Sequence, residues 1–70
     1  MAPMQLMVNG NPRTFERPAL TVADVIRELA LEGKRIAVEK NGEIVPRSLY
    51  ADTSIDSGDR LEIVGAVGGG

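Results

Sequence analysis

Leu20-Thr21-Val22-Ala23-Asp24-Val25-Ile26-Arg27-Glu28-Leu29 is the stretch that decides the fold. Thr21 reads as a helix N-cap, with Asp24 three residues on as the reciprocal partner of a capping box. Leu20 before the cap and Val25 at the fourth helical position can close a hydrophobic staple. Val22, Val25, Ile26 and Leu29 fall at i, i+3, i+4 and i+7, which is one apolar stripe, and Asp24, Arg27 and Glu28 lie off it. Gly33 is expected to end the helix in a left-handed cap. A helix with one apolar stripe has to be buried against another layer.

The flanking sequence offers only strands for that layer. Met4-Gln5-Leu6-Met7-Val8 alternates, with Met4, Leu6 and Val8 on one face. Asn9-Gly10 is a hairpin turn signal, because both residues tolerate positive φ. The return strand around Arg13-Thr14-Phe15-Glu16 is bracketed by Pro12 and Pro18, which suits a sheet edge. After the helix, Ile36-Ala37-Val38-Glu39 is a strand, Asn41-Gly42 a second turn, and Glu43-Ile44-Val45 a return strand stopped by Pro46. Residues 48–53 read as irregular with a short helical turn. Asp56-Ser57-Gly58-Asp59 is a turn, and Arg60-Leu61-Glu62-Ile63-Val64 is the last strand.

This order predicts an α+β fold of the ubiquitin-like β-grasp kind, a mixed sheet of four to five strands with one helix packed on one face. The first and last strands should be parallel neighbours at its centre, since a crossover returns the chain in the same direction. The expected core is Met4, Leu6, Val8, Val22, Val25, Ile26, Leu29, Ile36, Val38, Leu61 and Ile63. Residues 1–67 are expected to form the domain and residues 68–70 a flexible tail.

Composition removes whole classes of function. The 70 residues contain no cysteine and no histidine, which closes disulfide stapling, thiol catalysis and serine–histidine hydrolysis. Asp24, Asp56 and Asp59 read as cap and turn residues without metal-ligand spacing, so no metal site, bound cofactor or catalytic residue is expected. Ten acidic and eight basic residues give a net charge of −2 with no basic run, which argues against nucleic acid. Arg13, Arg17, Arg47 and Arg60 read as solvated charges. No apolar run approaches a membrane span of about 20 residues, and Met1-Ala2-Pro3 does not resemble a signal peptide. A cytoplasmic domain, monomeric when free, is the expectation.

Gly68-Gly69-Gly70 ends the sequence. Glycine loses the most backbone entropy on ordering, so such an end does not serve a packed core. Without Cβ atoms it can thread a narrow channel and place a carboxylate, ionised near neutral pH, in another protein's active site. A fraying end is the alternative.

Several segments in register resemble the ThiS family, the ubiquitin-like sulfur carriers of thiamine biosynthesis. They are the opening strand with Asn9-Gly10, the Leu20-Thr21-Val22-Ala23-Asp24-Val25-Ile26 helix start, and Ser57-Gly58-Asp59-Arg60-Leu61-Glu62-Ile63-Val64. The most specific is Ile36-Ala37-Val38-Glu39-Lys40-Asn41-Gly42-Glu43-Ile44-Val45-Pro46-Arg47 together with the terminal glycines. The resemblance implies a carrier that is not itself an enzyme. An E1-like adenylating enzyme uses ATP to activate the Gly70 carboxylate, and sulfur derived from a persulfide donor converts it to a thiocarboxylate. A thiazole synthase then takes the sulfur. Gly68 and Gly69 would allow passage. The small subunit of molybdopterin synthase, other β-grasp sulfur carriers and ubiquitin-like protein modifiers use the same first step and are the rival readings. A β-grasp interaction domain with an inert tail is the plain one.

Recognition by partners requires a surface. Met7, Ala37 and Val64 alternate with core residues and should face outward, with Val67 nearby on the tail, as an apolar docking face.

Overall fold

The computed structural model describes residues 3–65. In chain order the elements are β1 (Met4–Val8), β2 (Asn11–Phe15), β3 (Leu20–Thr21), α1 (Val22–Glu28), β4 (Ile36–Lys40), β5 (Glu43–Val45), a 3₁₀ helix (Arg47–Asp52), β6 (Ser54–Ile55) and β7 (Arg60–Gly65). Five strands form one mixed sheet in the order β2-β1-β7-β4-β5. β1 and β7 are parallel at its centre, with Met7 opposite Arg60 and Val8 opposite Leu61. The two hairpins, β1–β2 and β4–β5, are antiparallel. This is the expected β-grasp, with five strands.

Both Asn-Gly turns take positive φ at both positions, Asn9 and Asn41 at 52° and Gly10 and Gly42 at 81° and 87°. That conformation matches the twist of the strands they join. Pro12 lies in β2 on the outer edge of the sheet, where the N–H it lacks is not missed.

The helix begins as expected. The Asp24 N–H donates to Thr21 Oγ1 at 3.2 Å, and the Thr21 N–H donates to Asp24 Oδ2 at 2.9 Å. Leu20 and Val25 are both buried in the core, as a staple requires. Its end differs from the expectation. α1 stops at Glu28, and the left-handed residue that closes it is Ala30 (φ 59°), three positions before Gly33. The Leu31 N–H reaches Ile26 O at 2.9 Å and the Ala30 N–H reaches Arg27 O at 3.0 Å, the paired bonds of a Schellman motif. Leu31, half-buried against the core, supplies its apolar contact. Gly33, also left-handed (φ 76°), belongs to the loop that follows.

Val22, Val25 and Ile26 pack α1 onto the inner faces of Leu6, Val8, Val38, Leu61 and Ile63. Met4, Leu29 and Ile36, expected in the core, are only half-buried against it. Leu29 is the helix C-cap, Met4 begins an outer stretch of sheet opposite Phe15, and Ile36 lies opposite Gly65 at a strand end. Phe15, Leu20, Val45 and Ile55 join the core instead. Leu20 and Ile55 do so through a two-stranded sheet, β3–β6, that pairs them directly. The Val22 N–H donates to Thr53 O at 3.0 Å, so the segment after β5 anchors the start of the helix.

Candidate functional site

β7 carries the chain from the centre of the sheet toward the terminal glycines. It is bonded to β4 along its length, from Lys40 opposite Leu61 to Ile36 opposite Gly65. Gly65 is the last described residue. With Val8, Leu29, Leu31, Ile36 and Ile63 it lines a notch of about 360 Å³. Val67, Gly68, Gly69 and Gly70 lie outside the described residues.

The sheet face opposite α1 follows from the registers. Cross-strand partners point to the same side, so Val64 and Ala37 form the row nearest Gly65. Glu62, Glu39 and Ile44 form the next row across β7, β4 and β5. Arg60, Met7 and Pro12 form the row at the far end. Val64 is 56% exposed and Ile44 75%.

This arrangement brings together only part of the face expected from the sequence. Ala37 and Val64 are adjacent. Met7 is half-buried at the other end of β7, opposite Arg60, so the acidic row separates it from Val64. Met7, Ala37 and Val64 therefore do not form one apolar patch. Ile44, the most exposed large apolar residue among those described, extends the face at the β5 edge. It was legible as the outward member of a three-residue strand, since its neighbours Glu43 and Val45 alternate with it. Glu39 and Glu62 were not legible as a pair, because they lie 23 positions apart and only the antiparallel register makes them neighbours.

Neither glutamate takes part in an ion pair among the described residues, where Asp24, Glu28, Glu32 and Asp59 take the cations. Asp24 is held below the usual carboxylate range, chiefly by the Thr21 backbone N–H, then by the Thr21 hydroxyl, Arg17 and Arg27, with partial desolvation opposing. Asp59 accepts from the Asp56 N–H at 2.8 Å, closing the turn before β7. These aspartates serve structure, as expected.

The sequence model of the ThiS family matches residues 6–70. The chain belongs to the ThiS family. It is 34% identical over 65 residues to the sulfur carrier protein ThiS of Bacillus subtilis, covering 93% of this chain and 98% of that protein. The solved thiamine biosynthesis protein ThiS of Geobacter metallireducens superposes with a TM-score of 0.84 at 33% identity, covering 96% of this chain and all of that one. A thiazole synthase of Paramagnetospirillum magneticum is 45% identical over 67 residues, 96% of this chain. The chain spans only 20% of that synthase's length. The family is that of the sulfur carrier of thiamine biosynthesis. No helix among the described residues is long and apolar enough to cross a membrane.

Proposed function

We propose that this domain carries sulfur as a thiocarboxylate on Gly70. An E1-like partner transfers AMP from ATP to the Gly70 carboxylate, and pyrophosphate leaves. The terminal sulfur of a persulfide then displaces AMP from the acyl carbon, and a second thiol breaks the resulting S–S bond, releasing the thiocarboxylate and leaving a disulfide. A thiazole synthase accepts the sulfur, and the carboxylate returns. ATP is bound by the partner, and the carrier contributes a reachable carboxylate on a recognisable body. The observation that carries this reading is the position of β7. The strand that precedes the glycines is the central one of the sheet, with β1 on one side and β4 on the other, and it leads into the segment richest in glycine.

The thiazole synthase of Paramagnetospirillum magneticum supports the choice of acceptor. A segment similar to this domain lies within its own chain, and joining two modules in one chain raises their effective concentration. Docking is assigned to the outer sheet face, with Val64 and Ala37 as its apolar part, and to Val67 of the tail. Glu39 and Glu62 are suited to meeting cationic side chains. Met7, beyond the acidic row, is peripheral to this contact.

Co-expression with the activating enzyme and sulfur donor, followed by intact mass measurement, tests the proposal. The expected product is heavier by the difference between sulfur and oxygen. Methionine oxidation adds nearly the same mass, so the deciding readout is alkylation at Gly70, which a sulfoxide does not undergo. A chain recovered unalkylated, or linked through Gly70 to lysines of other proteins, overturns the thiocarboxylate reading.

A further inference from the structure

The two Asn-Gly turns do more than reverse the chain. The Asn9 N–H donates to Leu61 O at 2.8 Å, and the Asn41 N–H donates to Arg60 O at 2.8 Å. Each asparagine then applies its side-chain amide to the same strand or its preceding turn. Asn9 Nδ2 donates to Ile63 O at 3.0 Å, and Asn9 Oδ1 accepts from the Ile63 N–H at 2.7 Å. Asn41 Oδ1 accepts from the Arg60 N–H at 2.9 Å, and its Nδ2 donates to Asp59 Oδ1 at 3.1 Å. One turn thus grips β7 at its start and the other near its end.

A carboxamide side chain carries the donor and acceptor of a peptide unit. β1 ends at Val8, and the turn takes the backbone away from β7. The Asn9 amide replaces the missing ladder partner and extends the parallel pairing to Ile63. Asparagine meets both demands, since it tolerates positive φ and presents donor and acceptor together. Aspartate lacks the donor, and glycine lacks the amide.

We infer that Asn9 is a positioning residue for the tail. It fixes the direction in which β7 hands the chain to residues 66–70, and so sets where the Gly70 carboxylate arrives. The inference rests on the proposed carrier role. Near its end β7 is held by β4 on one edge, through Ala37 opposite Val64, and by the Asn9 amide on the other. A strand held on one edge can swing about it, while bonds on both edges fix its course. Drawn out in a partner's channel, residues 65–70 reach at most about 20 Å, and a swing of about 10° at the root of that extended chain moves the tip by about 3 Å. Misplacement by about 1 Å can cost about 100-fold in a reaction between bound groups.

Asn9→Gly keeps the positive φ and deletes the amide. Asn41→Gly does the same at the far end of β7 and is the control for loss of stability alone. The full chain is assayed as the varied substrate of the activating enzyme by pyrophosphate release, and the free chain by amide exchange and ¹⁵N relaxation. Asn9→Gly should speed exchange at Ile63, loosen Val64 and Gly65, and lower kcat about tenfold or more with KM within about twofold. Asn41→Gly should leave kcat within about twofold of the native value. Native kcat in Asn9→Gly, or an equal loss in Asn41→Gly, overturns the inference. If the native chain itself supports no pyrophosphate release, the carrier role falls. The free chain then decides alone: loosened Val64 and Gly65 in Asn9→Gly uphold the strand-positioning part, and unchanged relaxation overturns it.

Discussion

Glu39 and Glu62 stand directly opposite each other on β4 and β7, both exposed, at the centre of the sheet face that α1 leaves open. Like charges in that relation destabilise a sheet. Replacing one by a cation should therefore stabilise the isolated domain. Glu62→Lys is expected to raise the free energy of unfolding by about 0.2–1 kcal/mol, measured by urea denaturation. The same variant should bind the activating enzyme more weakly than the native chain, because the proposed docking sets the acidic row against cationic side chains. Native affinity in Glu62→Lys would move the docking contact off this row.

Val64 tests the apolar half of the same face. It is exposed and lies outside the core cluster, so Val64→Asp should leave the domain folded while weakening partner binding. Gly68→Pro is its complement. Proline fixes φ and adds bulk, so docking should survive and turnover should stop. Titration of each variant against the activator, with pyrophosphate release measured in parallel, separates the two. A Val64→Asp chain that binds like the native one places the docking surface elsewhere.

Ala30 occupies a left-handed position that costs an L-residue roughly 1–2 kcal/mol and that glycine takes freely. Its Schellman bonds to Arg27 and the adjacent bond from Leu31 to Ile26 are backbone bonds and survive substitution. Ala30→Gly is expected to stabilise the domain by about 1 kcal/mol, after the entropy that glycine adds to the unfolded chain. Thermal and urea unfolding check it. A lower midpoint in Ala30→Gly would show that the cap tolerates alanine without strain.

The capping box makes stability depend on acid. The Asp24 carboxyl titrates below its ordinary value in the folded chain because Thr21 donates to its charged form, with Arg17 and Arg27 adding to the effect. A group with a depressed folded pKa contributes its stability above the unfolded pKa, near 3.9, and loses it as pH falls through the folded value. Asp24→Asn should therefore flatten the decline of stability below about pH 4 while lowering stability at neutral pH. Parallel acid titration of both proteins by circular dichroism would refute this if the two slopes coincide.

The sequence by itself determined the features set by local chemistry. The pleat alternates side chains at period two, so the inward residues of β1, β4 and β7 were readable without knowing their neighbours. The Asn-Gly pairs and the Thr21–Asp24 box act within four residues, and all are present. Parallel β1 and β7 followed from the crossover. The glycine tail and the segments resembling ThiS proteins were equally open to reading.

Only the tertiary structure decided which elements face one another. Phe15 between prolines, and Ile55 among polar residues, carry no period of their own, and they become core because pairing with β1 and β3 brings them into the cluster. α1 stops at Glu28 and is closed by the left-handed Ala30, where Leu31 meets the core, and not by Gly33. The Glu39–Glu62 pair exists through the antiparallel register alone. The Asn9 grip on Ile63 joins residues 54 positions apart. A propensity acts on a residue's own backbone. An ion row or an amide replacing a ladder partner depends on the strand that topology sets alongside, and no local pattern carries that.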